Sequence, residues 1–168
     1  MNLSALKSPP FRSYVVSLHL ALNGFWAQRV IIGWLAWDMT GSAGFVGLVA
    51  FLNFFPTLFV SPLFGVFADR IDIRKGSIFS YALAGTLSGL FAVICILAGP
   101  TPLLLALFSF VTGVISSANH PMRMSLTPRL APTADLPSVV AITSLNFNMS
   151  RLTCLLYTSD AADERSWG

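Results

Sequence analysis

The sequence predicts an all-α integral membrane protein with four complete transmembrane helices and part of a fifth. Of its 168 residues, 55% are hydrophobic and only 10% charged, where soluble domains carry about a quarter charged residues. A mean hydropathy of +0.73 over the whole length requires several runs of about 20 apolar residues, each crossing about 30 Å of hydrocarbon. The charges that do occur are crowded into short joints between such runs. Five of the seven residues from Asp69 to Lys75 are charged.

The apolar runs are Tyr14 to Met39, Ala43 to Ala68, Ser77 to Ala98 and Pro102 to Asn119, with a fifth opening near Leu136. Links this short between long helices predict an up-and-down antiparallel bundle. The N-terminal "MNLSALKSPPFRS" is polar and has no cleavage site after a short apolar core, so the first run is expected to act as an uncleaved anchor. Lys7 and Arg12 precede span one, Arg70, Arg74 and Lys75 fill the second joint, and Arg123 and Arg129 fill the fourth. The first and third joints hold no Lys or Arg. The positive-inside rule then puts the N-terminus in the cytoplasm of a multi-pass protein of the cell (inner) membrane.

Span one carries His19, Asn23, Gln28 and Arg29. His19 and Asn23 stand at i, i+4 and read as a satisfied interhelical contact. Arg29 lies about 22 Å along the span at about 1.5 Å per residue, where an unpaired charge costs about 2.5 kcal/mol or more. It either snorkels outward beside Trp34 and Trp37 or, with Gln28, lines a substrate cavity. Pro56 and Pro62 are expected to bend span two. Ser80, Ala84, Ser88 and Ala92 on span three, with Gly85 and Gly89 beside them, form small-residue packing faces, as do Ser109, Gly113 and Ser117 on span four. In span five, Ser144, Asn148 and Arg151 share one helix face by their i, i+4, i+7 spacing. Their polarity predicts a cavity, with Arg151 meeting an anionic substrate or an internal carboxylate, or a hydrogen-bond cluster between helices. Asp135, just ahead of this span, reads as its N-cap.

The C-terminus reads differently. "CLLYTSDAADE", Cys154 to Glu164, holds three of the seven acids in the chain. It is identified as the translation of a transposon-library sequencing adaptor, so residues 154–168 are expected to be a non-native tail. Residues 1–153 then form a partial transmembrane half, the start of a truncated gene product.

Several function classes find no support. The two cysteines and two histidines have no metal-ligand spacing. No acid pairs with a histidine or serine as catalysis requires, and no glycine loop is built to cradle phosphates. The basic excess is taken up by topology rather than by nucleic acid. No enzyme activity, cofactor or metal is expected.

The joint after span two, "GVFADRIDIRK", resembles the cytoplasmic signature of the major facilitator superfamily, G-x-x-x-D-R-x-G-R-R/K. Gly65, Asp69, Arg70, Arg74 and Lys75 fit it, while Asp72 replaces the second glycine and Ile73 the basic residue after it. The resemblance implies that Asp69 latches a helix end in the other half of a twelve-helix fold and holds the outward-open state, with Arg70 and Arg74 in support. "GFWAQRVIIGW" is similar to the G-D-W-x-Q-R-x-x-x-G-W run of the enterobactin-exporter-like, transmembrane secretion effector branch. Gly24, Trp26, Gln28, Arg29, Gly33 and Trp34 coincide, and Phe25 replaces the acid. "NHPMR" and "LNFNMSRL" look like the same branch. An arginine that many antiporters of the superfamily carry in span four is absent from "ALFSFVTGVISS".

This resemblance implies the N-terminal part of a six-helix half. The parent would be a secondary transporter exporting a small molecule, siderophore or drug-like, by alternating access. Its partners would be the lipid bilayer, the substrate and the missing C-terminal half. A second reading stays open on the residues: a small membrane scaffold or anchor subunit with no transport activity.

Overall fold

The computed structural model describes residues 4–68, 72–130 and 132–166, with side chains described for all of these except 64–68, 120, 133 and 157–166. Five long helices account for most of them: α1 Pro9–Thr40, α2 Ala43–Ala68, α3 Ile73–Ala98, α4 Pro102–Leu126 and α5 Leu136–Ser166. A short 3-10 turn, Ser4–Lys7, precedes α1, and two more, Thr127–Leu130 and Thr133–Asp135, join α4 to α5. Among the described residues, five helices are long and apolar enough to cross a membrane. A chain without water around its backbone can satisfy every N–H and C=O only within helices or closed barrels, and helices are what forms.

The helix ends follow local chemistry. Gly41 (φ 58°) closes α1 in the left-handed region, its N–H donating to Trp37 O at 2.7 Å, an ending that glycine makes without steric cost. Ser42 Oγ accepts from Phe45 N and Thr101 Oγ1 from Leu104 N, so a hydroxyl caps α2 and α4. Gly99 (φ 78°) ends α3.

Three predicted spans are longer than the apolar runs suggest, α3 opening at Ile73 where the apolar run opens at Ser77. Helix α1 starts at Pro9, which takes Arg12 inside it. Helix α4 passes through Pro121 to Leu126, where the sequence reading ended the span at Asn119. Ala118, Met122 and Leu126 recur every fourth residue and pack with Ile73 of α3, so burial of one helical face sustains the extra turns. Helix α5 continues without a break past Thr153 into the tail, and its apolar part, Leu136–Leu156, is 21 residues long.

The chain divides into two compact units, residues 32–126 and residues 1–31 with 127–168. In the first, Ile32, Ala36, Val49, Leu105 and Phe108 form the core, and Phe91 stacks on Phe108 with ring centroids 4.0 Å apart. Helices α2 and α4 meet backbone to backbone. A Cβ on Gly113 would lie 2.4 Å from Asn53 O, so only glycine fits. Asn53 Nδ2 uses the proximity to donate to Ser109 O at 3.1 Å and Thr112 Oγ1 at 3.2 Å. The small-residue face read on span four is thus a packing face. That on span three is only partly so: Ser80 is buried, while Gly85 and Gly89 have nothing within 4 Å. Outward faces are apolar, with Leu58, Phe59, Ile96 and Leu97 all well exposed, as lipid requires.

In the second unit Ala5, Phe11, Val139 and Ile142 form a core. Ser4 Oγ donates to Asp135 Oδ1, Ser8 Oγ to Leu130 O at 3.1 Å, and Tyr14 OH pairs with Thr127 Oγ1 at 3.0 Å. Asp135 is therefore held by the N-terminal turn instead of capping α5.

Gly113→Ala is expected to lower stability by about 1–3 kcal/mol through overpacking. Gly89→Ala should be neutral or stabilising by up to about 1 kcal/mol. Thermal unfolding of the detergent-solubilised chain, followed by circular dichroism, distinguishes the two.

Candidate functional site

The polar residues of α1 and α5 fall into two groups within the second unit. One is a hydrogen-bonded seam. Asn146 Nδ2 donates to Val15 O at 3.2 Å, which leaves Oδ1 to accept from His19 Nδ1 at 2.6 Å. That bond puts the imidazole proton on Nδ1. Ser150 Oγ lies 3.1 Å from the same nitrogen. Asn23 Nδ2 donates to His19 O at 2.9 Å and to Ser150 Oγ at 3.4 Å. Asn146 is 7% exposed and Ser150 0%, so each needs these partners. His19 and Asn23 thus make the interhelical contact that their spacing predicts.

On α5 the seam is made by Asn146 and Ser150, which the sequence reading did not single out. Ser144 and Asn148 lie exposed, and Asn148 Nδ2 bonds back to Ser144 O at 2.8 Å. Two polar stripes run along α5 with the same i, i+4 spacing, and spacing does not say which meets a neighbour. The signal available was the match of Asn146 and Ser150 to the pair His19 and Asn23, each being polar residues four apart.

The second group surrounds Trp26. Phe25 and Phe147 meet the indole edge-on, with centroids 5.5 and 5.6 Å away and interplanar angles of 74° and 67°. Arg151 Cζ stands 5.7 Å from the Trp26 centroid. Arg29 Cζ stands 6.0 Å from it and 5.3 Å from that of Phe25. The two span arginines that the sequence separates by 122 positions are thus brought to one ring. Each cation–π contact is worth about 0.5–2 kcal/mol depending on desolvation. Trp26 Nε1 is buried and meets no acceptor. Arg29 and Gln28 are half-buried, and Arg151 is exposed.

The charged joint is a third location. Asp72 caps α3, its Oδ1 accepting from Arg74 N at 3.0 Å and Lys75 N at 3.4 Å. An aspartate where the signature has glycine therefore gains a capping role at the positive end of a helix. The side chains of Arg74 and Lys75 are exposed. Asp69 and Arg70 lie outside the described residues, as do the surroundings of Gly65 near the end of α2. No group of three metal-ligating side chains occurs among the described residues.

A family model described as transmembrane secretion effector matches residues 1–154. The chain belongs to the transmembrane secretion effector family. This is a transporter family of the major facilitator superfamily. Members are multi-pass helical membrane proteins, which agrees with the five apolar helices. The chain is also similar to the Staphyloferrin A transporter of Staphylococcus aureus, 24% identical over 140 residues, covering 80% of this chain and 34% of that protein. It thus spans about a third of the length of this curated relative. No solved structure matches.

Asn146→Leu is expected to cost about 0.6–1.7 kcal/mol, the range of interhelical hydrogen bonds in membranes, whereas Ser144→Ala changes nothing measurable. Asp72→Ala should cost about 1 kcal/mol and Asp72→Gly only a few tenths. Unfolding by sodium dodecyl sulfate in mixed micelles provides all four values.

Proposed function

We propose that this chain is the N-terminal part of a secondary transporter that exports a small molecule by alternating access. In this reading α1 and α5 form part of the wall of a substrate cavity. The observation that carries it is the pair Arg29 and Arg151 gathered on Trp26 in segments apolar enough to cross the bilayer. Charge at such depth is expensive, and its default reading is a substrate or ion path. Membership of a transporter family supports the same reading. The similarity to the Staphyloferrin A transporter favours a solute of that kind over an unrelated drug.

The N-terminus and the charged joint face the cytoplasm in this proposal, supported by the distribution of Lys and Arg. Asp69, with Gly65 and Arg70, latches onto the half of the transporter beyond this chain. Arg74 and Lys75 contribute charge at the membrane surface. Residues 154–168 are a non-native tail with no part in transport.

The test is export from cells carrying the full-length transporter. Arg151→Gln and Arg29→Gln are each expected to lower the export rate at least about tenfold at equal membrane abundance, as loss of a charged contact of about 1.5–3 kcal/mol implies. Asp69→Asn should lower the rate without changing insertion. Export at the unaltered rate by both arginine variants would remove the cavity reading.

A further inference from the structure

Trp26, Arg29 and Arg151 have one chemical property in common: their side chains carry N–H donors and no acceptor. The Trp26 Nε1–H is buried without a partner, and a desolvated donor left unpaired is costly. Two guanidinium groups stand within 6.0 Å of the same indole centroid, which gathers positive charge around it. An anion with oxygen acceptors would supply the missing partner of the indole N–H and be drawn by the positive charge beside it.

We infer that the Trp26 cluster is a recognition point for an oxyanion, best matched by a carboxylate, resting on the reading of α1 and α5 as cavity wall. A carboxylate presents two oxygens and about four lone-pair directions. One oxygen accepts from the indole N–H, and the other, with the remaining lone pairs, takes the planar fork of Arg151. Arg29 adds charge from the opposite helix. A cationic solute is repelled, and a neutral alcohol brings acceptors but no negative charge. Joint contact with one carboxylate requires Arg151 to turn its fork from the indole ring toward the N–H edge. Arg151 is suited to this because it is exposed and lies over the ring at 5.7 Å, free to swing from ring face to ligand. Phe25 and Phe147 hold the indole edge-on, so the ring itself stays in place as the guanidinium shifts.

The carboxylate has two possible sources, a transported solute or an acidic side chain from the part of the transporter beyond this chain. Binding of radiolabelled malonate to the purified chain and to the full-length transporter separates them, with inorganic phosphate and glycerol as competitors. Competition by phosphate and none by glycerol is expected. Arg151→Gln should raise the Kd at least about tenfold, and Trp26→Phe, which keeps a ring but removes the N–H, about fivefold. Arg151→Lys keeps the charge and loses the fork. It should fall between wild type and Arg151→Gln, and it serves if the glutamine variant fails to fold.

Binding to both proteins assigns the site to a solute. Binding to the chain alone assigns it to an internal acid of the transporter. No malonate or phosphate binding to either protein, with export still lost in Arg151→Gln, overturns the oxyanion assignment and leaves the transport reading intact. Arg151-dependent binding with export unchanged does the reverse. Equal malonate affinity in wild type, Trp26→Phe and Arg151→Gln overturns the placement of the site at Trp26.

Discussion

A polar side chain in hydrocarbon has no water to turn to, and the arrangement of this chain follows from how most of them find partners. Asn53 reaches Ser109 O and Thr112 Oγ1 only because Gly113 lets α4 come up against the α2 backbone. His19, Asn23, Asn146 and Ser150 satisfy one another between α1 and α5. Exposed threonines bond back to their own helices, as Thr86 does to Ala82 O and Thr153 to Met149 O. With lipid on the outside, apolar burial does not discriminate one helix face from another. Backbone proximity and hydrogen bonds decide which faces meet.

The two units solve this problem differently. Within residues 32–126 the contact is close, built on Gly113 and a core of Val49, Leu105 and Phe108. Within the other unit α1 and α5 are joined by side chains, with the N-terminal turn packed at one end through Ala5 and Phe11. The Trp26 cluster lies in this second unit, where aromatic and guanidinium groups substitute for direct backbone contact. Backbone proximity joins α2 to α4 in the one unit, and side-chain hydrogen bonds join α1 to α5 in the other.

Family membership and the local chemistry meet at the joint after α2. Asp72 departs from the signature glycine, yet it caps α3 through Arg74 N and Lys75 N. The departure therefore keeps the start of the helix well defined in a different way. It also separates two kinds of charge in one short stretch: Asp72 serves its own helix, while Arg74 and Lys75 stay exposed at the surface.

Much of the fold was legible from composition and spacing. The bounds of α2, Ala43–Ala68, coincide with the apolar run, because a charged joint and a glycine turn delimit it on either side. The extension of α4 to Leu126 was not legible, since it depends on Ile73 lying across from Ala118 and Met122. Likewise the sequence announced that α5 has a polar face but not which of its two stripes would meet α1. Periodicity is a property of one helix, and the choice of partner is a property of two. What the sequence by itself determined was the class of protein, the number of apolar helices and the kinds of polar residue within them, because the hydrocarbon imposes length and composition directly. Only the tertiary structure decided that Asn146 and Ser150 form the seam and that Arg29 and Arg151 share Trp26. Side chains on helices far apart in the chain meet only when packing sets the rotation of each helix about its axis.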